Sequence, residues 1–318
     1  ADGQITILLY DINNDDPTDG GVIGYFNAVN FYTTSANTNK RAMFCLDAPM
    51  FARRDSGTWY VTDYWPSAAI STLAHEFQHM IQFYQKRVLR GAGSSSTWLN
   101  EMCSLVAEDF VASYIGLSGP RGVAYNDAAA GSTGMIKGRL ADMAGVPGYY
   151  LFSWPSSSDN NVYAAYGQAY ALGAYLARSF GGAPFFTRIV QNAYADKNAV
   201  SCALTVSGFA ETFDTVFAKW GAAMLVSDST SAPAYYRYNS DGWFTSASGE
   251  ITYSLGSINL FNYTNGYTSG PYIYSDYAGT VLSAGSQVIY GAGTLSAGQT
   301  QRWKMILPAG TILTVVAK

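Results

Sequence analysis

The sequence predicts an α+β protein in which strands come first, helices follow, and a strand-rich segment ends the chain. Three observations carry that reading. Residues 1 to about 66 hold short apolar runs broken by turns, apolar residues from about 67 to 226 recur at spacings of three and four, and after about 230 that period disappears. Charged residues make up only 13% of the 318 while hydrophobic residues make up 48%, with 25 Tyr, which excludes a disordered chain. There are no Glu/Lys/Leu heptads, so a coiled coil is excluded as well. The length fits one large domain or two, and the change of pattern divides the chain into residues 1–230 and 231–318.

The elements follow in order. Ile5–Tyr10, the Gly-punctuated aromatic run Val22–Tyr32 and Ala42–Leu46 read as strands. An acidic turn, Asp11 to Gly20, separates the first two. Leu73, Phe77, Met80, Phe83 and Tyr84 keep a helical period, and a second helix follows Ser96 and Thr97 and stops near Gly116. A third runs from about Val162 to Phe180 and is stopped by Gly181 and Gly182; further helices fit Pro184–Tyr194 and Phe209–Leu225. Beyond residue 230, Ile251–Leu255, Ser257–Phe261, Tyr272–Tyr274, Thr280–Leu282, Val288–Tyr290, Arg302–Leu307 and Thr311–Val316 are short runs separated by Gly, Ser and Asn. That spacing suggests an all-β, sandwich-like module.

Charge and cysteine usage bound the function. With 18 Lys and Arg against 22 Asp and Glu the net charge is −4, and no basic run exists, so no nucleic-acid partner is expected. No apolar stretch approaches the 18 or more residues of a membrane helix, so no membrane insertion is expected. Low charge with abundant Tyr, Gly, Ser, Thr and Asn is typical of secreted bacterial proteins. Ala1-Asp2-Gly3 carries no leader, so an exported protein is read here in its mature form. Cys45, Cys103 and Cys202 lie far apart with no C-x-x-C pair, which excludes a cysteine zinc site and leaves one disulfide or three buried thiols open. The chain is expected to act as a monomer.

The sharpest feature is the use of histidine. The chain has two, and both sit in His75-Glu76-Phe77-Gln78-His79. At a spacing of four on a helix they project from one face, where two imidazoles can bind one Zn²⁺ and Glu76 can reach a water on the metal. H-E-x-x-H also arises by chance, but here it consumes every histidine on an amphipathic helix. Catalytic zinc wants three protein ligands. A third His would follow soon after the pair, yet Gln82 and Gln85 stand there, so the third ligand is an acid. Glu101 in Thr97-Trp98-Leu99-Asn100-Glu101 fits, with 21 residues and a Gly/Ser-rich loop to turn the chain back. Glu108 lies two turns further along that face, either orienting a ligand histidine or as a surface carboxylate. Asp109 points elsewhere and reads as structural.

Leu73–Gln82, Trp98-Leu-Asn-Glu101 and Val106-Ala-Glu108 together resemble the gluzincin metallopeptidases, and more narrowly the hyicolysin-like family of secreted bacterial neutral zinc metallopeptidases. The resemblance covers about residues 70 to 225. It implies a gluzincin-type catalytic domain: a twisted N-terminal sheet over the zinc-binding helix, then a helical subdomain. It also implies a peptide substrate added as a strand at the sheet edge, for which Ala42–Leu46 is the expected edge. In related aminopeptidases a later helix carries the catalytic Tyr in its first turn; the matching position is Tyr166, with Tyr163 and Tyr170 as neighbours. The Gly-x-Met-x-Asn string that anchors a free amine in those aminopeptidases is absent, which favours cleavage within chains. Phe, Tyr and Met around the motif suggest an apolar subsite.

Asp11, Asn13 and Asp15 offer hard oxygens at alternate positions, the pattern of a Ca²⁺ loop and equally that of a solvated turn. The expected function is a zinc-dependent endopeptidase acting on proteins or peptides, with Glu76 as general base, Tyr166 at the oxyanion, and His75, His79 and Glu101 on the metal. The alternative is a surface adhesin or glycan-binding protein with a structural or inactive zinc site. Glu76 separates the two, because a structural site needs no base.

Overall fold

The computed structural model describes residues 3–12, 22–34, 36–48, 64–114, 139–146, 149–156, 161–238, 244–245, 252–253, 255–275 and 284–317. Three strands open it: β1 (Thr6–Tyr10), β2 (Gly24–Phe26) and β3 (Met43–Asp47), in the order β1-β3-β2. β3 runs parallel to β1 and antiparallel to β2, with Leu8 opposite Cys45 and Tyr25 opposite Cys45 on the other side. All five β3 residues are buried. The expectation that Ala42–Leu46 forms the edge is therefore corrected. Both sides of β3 are spent on ladder hydrogen bonds, and β1 and β2 are the outer strands among those described.

Below the sheet lies α1 (Tyr64–Phe83), which packs against β2, β3 and α2 (Thr97–Tyr114). Gly24 of β2 permits the close approach: a Cβ there would sit 2.8 Å from the Thr72 methyl of α1. α1 runs on into one π-helical turn, Tyr84–Val88. That turn directs Lys86 inward, where its ammonium donates to the carbonyls of Ile189 (2.7 Å), Asn192 (3.2 Å) and Tyr194 (2.6 Å).

The rest is a helical body: α3 (Arg139–Met143), α4 (Asn161–Ser179), α5 (Gly182–Val190), α6 (Lys197–Val206) and α7 (Phe213–Val226), with the two-residue strand β4 (Tyr149–Tyr150) between α3 and α4. α4 is its axis, with Gly167 to Arg178 buried. Gly173 lets α4 cross α2 closely, since a Cβ would lie 2.5 Å from Val106 and 2.9 Å from Met102. Gly167 does the same for α3, where a Cβ would overlap the carbonyl oxygen of Arg139. The expected stop of α4 is present, because Gly181 and Gly182 both take positive φ (106° and 62°). α6, absent from the sequence reading, is opened by Asp196, whose carboxylate accepts from the Asn198 backbone N–H.

After α7 the strands are short: β5 (Phe244–Thr245) pairs with β6 (Thr252–Tyr253), and β7 (Ser286–Gln287) pairs with β4. Within the expected strand Ser257–Phe261, Leu260 instead opens a 3₁₀ turn, because the Asn259 side chain accepts from the Phe261 N–H in place of a ladder bond. Arg302–Leu307 and Thr311–Val316 carry no regular structure. Part of this segment joins the helical core: Tyr238, Leu255, Ile258, Leu260 and Ile289 are buried with α2, α4 and α7. The Tyr238 hydroxyl accepts from the Trp220 indole N–H and donates to the Ala171 carbonyl at 3.0 Å. The three cysteines are free thiols, Cys45 and Cys103 buried and Cys202 half-buried. Among the described residues no helix is long and apolar enough to cross a membrane.

Candidate active site

The site forms where α1 and α2 lie side by side. His75 and His79, one turn apart on α1, face α2 with their rings edge to face at 4.7 Å. Glu101, one turn into α2, meets both: its Oε2 lies 3.1 Å from His75 Nε2 and 3.6 Å from His79 Nε2. The ligand atoms of these three residues lie within 4.8 Å of one another, a group that could hold a metal ion.

The second nitrogen of each ring is fixed. His75 Nδ1–H donates to Glu108 Oε1 at 2.8 Å, and His79 Nδ1 pairs with Ser104 Oγ at 3.0 Å. Both contacts turn Nε2 toward the shared centre. Glu108 is itself held, accepting from Ser71 Oγ at 2.6 Å and from an Arg139 amino group at 3.4 Å. Of its two readings, the structure brings Glu108 onto His75 and buries it rather than leaving it on the helix surface. Asp109 faces the other way, where both its oxygens accept from Tyr170 OH at 2.9 Å.

Glu76 is buried and accepts from the Phe26 backbone N–H of β2. Burial raises its pKa, and the two histidines pull back against that. Burial alone would lower His75, but Glu101 and Glu108 outweigh it and raise the ring to about 10. Burial would raise Glu101 and Glu108, but His75 and His79 hold Glu101 down, and Arg139 and His75 hold Glu108 down. Three buried carboxylates therefore converge there, with the Arg139 guanidinium and the His75 ring as their cationic partners. The same carboxylates that draw a proton onto His75 would favour a metal cation in its place.

Tyr166 of α4 lies within electrostatic reach of this group. Its ring packs edge-on against Trp154 at 5.1 Å, and the Arg139 guanidinium lies over it at 5.0 Å. Burial first, then Glu101, raises the phenol pKa, so the hydroxyl stays protonated and able to donate. Its neighbours are elsewhere: Tyr163 is 53% exposed, and Tyr170 is fully buried on Asp109. Of the acidic loop, Asn13 and Asp15 lie outside the described residues, and Asp11 stands near the end of a described segment.

Sequence reading missed Ser71, Ser104, Arg139 and the Phe26 N–H. The two serines carried a signal: Ser71 lies one turn before His75, and Ser104 sits between Glu101 and Glu108 on their face. Arg139 had none, because only the packing of α3 on α4 brings it in.

Comparison with known proteins adds two findings. The family model for peptidase M30 matches residues 1–259. The neutral metalloprotease ShpI of Staphylococcus hyicus is 28% identical over 197 residues, which is 60% of this chain and 39% of that relative, so the match spans well under half of the relative's length.

Proposed function

The chain belongs to the peptidase M30 family, and from that premise we propose that it is a zinc-dependent endopeptidase. The observation that carries the proposal is the convergence of His75, His79 and Glu101 with Glu76 buried beside them and held by Phe26 rather than within their group. Nitrogen, nitrogen and carboxylate oxygen is a donor set of catalytic zinc. A tetrahedral zinc with bonds of about 2.0–2.1 Å spaces its ligand atoms by about 3.3 Å. The two carboxylate–imidazole separations, 3.1 and 3.6 Å, lie close to that value and all three ligand atoms lie within 4.8 Å, which supports the reading.

Zinc held there supplies Lewis acidity, acidifying a water and polarising a peptide carbonyl. The protein's residues supply the rest. Glu76 takes the proton of the attacking water and passes it to the leaving amine. Its raised pKa suits both halves of that transfer. Tyr166 donates to the oxygen on which charge develops. Glu108 and Ser104 hold the imidazole tautomers while this happens. β2 is the outer strand beside α1, so an extended substrate would pair along β2. The same proposal makes the enzyme an exported monomer acting on proteins or peptides. It assigns residues 1–230 the catalytic role and 231–318 an accessory one.

Replacing Glu76 with Gln tests the reading. Turnover of casein should fall by several orders of magnitude with zinc content unchanged, because the base is lost and no ligand is. Near-normal cleavage by this variant would contradict it.

A further inference from the structure

A cavity of about 360 Å³ opens at the N-terminal end of α2, and the proposed chemistry leaves it unused. Trp98, Phe152 and Trp154 line it, with Thr97, Asp196 and Lys197 at its rim. One helical spacing and one ring contact relate it to the catalytic centre. Thr97 lies one turn before Glu101 on α2, hence on the same face. Trp154 packs against the Tyr166 ring. The cavity therefore lies between the helix bearing the acidic ligand and the aromatic pair that includes Tyr166.

The charged side chains at the rim already have partners. Lys197 Nζ sits on Asp214 at 2.8 and 2.9 Å, and the Asp196 carboxylate accepts from the Asn198 backbone and side-chain amides at 2.9 and 3.1 Å. What remains on offer is aromatic surface. Phe152 is 36% exposed although its ring packs on Trp98 at 5.6 Å and Phe213 at 5.9 Å. Ligand sites run from about 300 to 1,000 Å³, so this cavity takes one large side chain with its peptide unit and not a long segment.

We infer that this cavity is the subsite that reads a substrate residue close to the scissile bond, and that it takes a neutral aromatic side chain, packed against Phe152 and Trp154 with the buried Trp98 behind them. This rests on the peptidase reading, and its test separates the two. Thr97→Phe fills the cavity from the exposed rim. Heptapeptides in which one Phe is walked through an Ala background measure turnover. Blocked tripeptides with central Phe or Ala measure binding by calorimetry to the Glu76→Gln protein, with and without Thr97→Phe. The expected result is that Phe at one position exceeds Ala by at least about tenfold in kcat/KM and in affinity, and that Thr97→Phe brings both ratios close to one. No preference for Phe, or a preference that Thr97→Phe leaves intact, overturns the subsite. A binding ratio that behaves as expected in a protein that cleaves nothing supports the subsite and overturns the peptidase reading alone.

Discussion

Tyr166, Tyr163 and Tyr170 share one helix and have three different surroundings. Tyr166 is half-buried against Trp154 and Arg139 and feels the charge of Glu101 and Glu76, Tyr163 faces solvent, and Tyr170 is locked onto Asp109. Substitution by Phe should separate them. Tyr166→Phe should lower kcat by about 10²–10³ with KM little changed, since the hydroxyl matters most once charge has developed. Tyr163→Phe should be silent. Tyr170→Phe should keep kcat but cost about 1–3 kcal/mol of stability, because it strips a donor from a buried carboxylate. Steady-state kinetics and denaturant titration of the three variants check this, and a crippled Tyr163→Phe would contradict the placement of α4. At this scale the sequence was most legible around the motif, since His75, His79 and Glu101 come from two local segments with helical spacing. Arg139 was not legible, because it reaches Glu108 and Tyr166 only through tertiary packing.

Elements are held in place by a few buried polar contacts. Lys86, 1% exposed, ties the π-helical end of α1 to the chain leaving α5 through the Ile189, Asn192 and Tyr194 carbonyls. Burial pulls its pKa down to about 8. Lys86→Met should cost about 1–3 kcal/mol at pH 7, because it leaves those carbonyls unpaired. The pH dependence has a definite sign. Between about 8 and 10.4 the unfolded chain keeps the lysine proton and the folded chain has released it. Stability of the parent relative to Lys86→Met therefore rises with pH across that window. Melting curves of both proteins at pH 7 and 9.5 measure this; a difference that narrows with pH would contradict it. The long amphipathic helices were readable from period and caps. α3, of five residues, and α6, with its lone Asp196 cap, were too short or too weakly patterned to stand out. In the last 90 or so residues, short apolar runs suggested short strands; Arg302–Leu307 and Thr311–Val316 take no strand structure, since apolar pattern alone does not supply a pairing strand.

The whole molecule is organised around α4, which touches the site through Tyr166 and the chain beyond α7 through Tyr175, whose hydroxyl donates to the Tyr235 carbonyl. The family match likewise continues to residue 259, beyond α7. Residues 231–318, for which an accessory role is proposed, thus pack partly into the helical core. A chain ending at residue 230 would expose the core faces covered by Tyr238, Leu255, Ile258 and Leu260. It should lose cooperative thermal unfolding, and a sharp transition in that truncated chain would show that the core closes without them. The central claim is that His75, His79 and Glu101 together hold one catalytic zinc ion. Metal analysis of gently purified protein, beside Glu101→Ala, measures it most directly. About one zinc per parent chain, and a large loss of zinc in the variant, are expected. Less than about half an equivalent in the parent, or full zinc retention by Glu101→Ala, would contradict it.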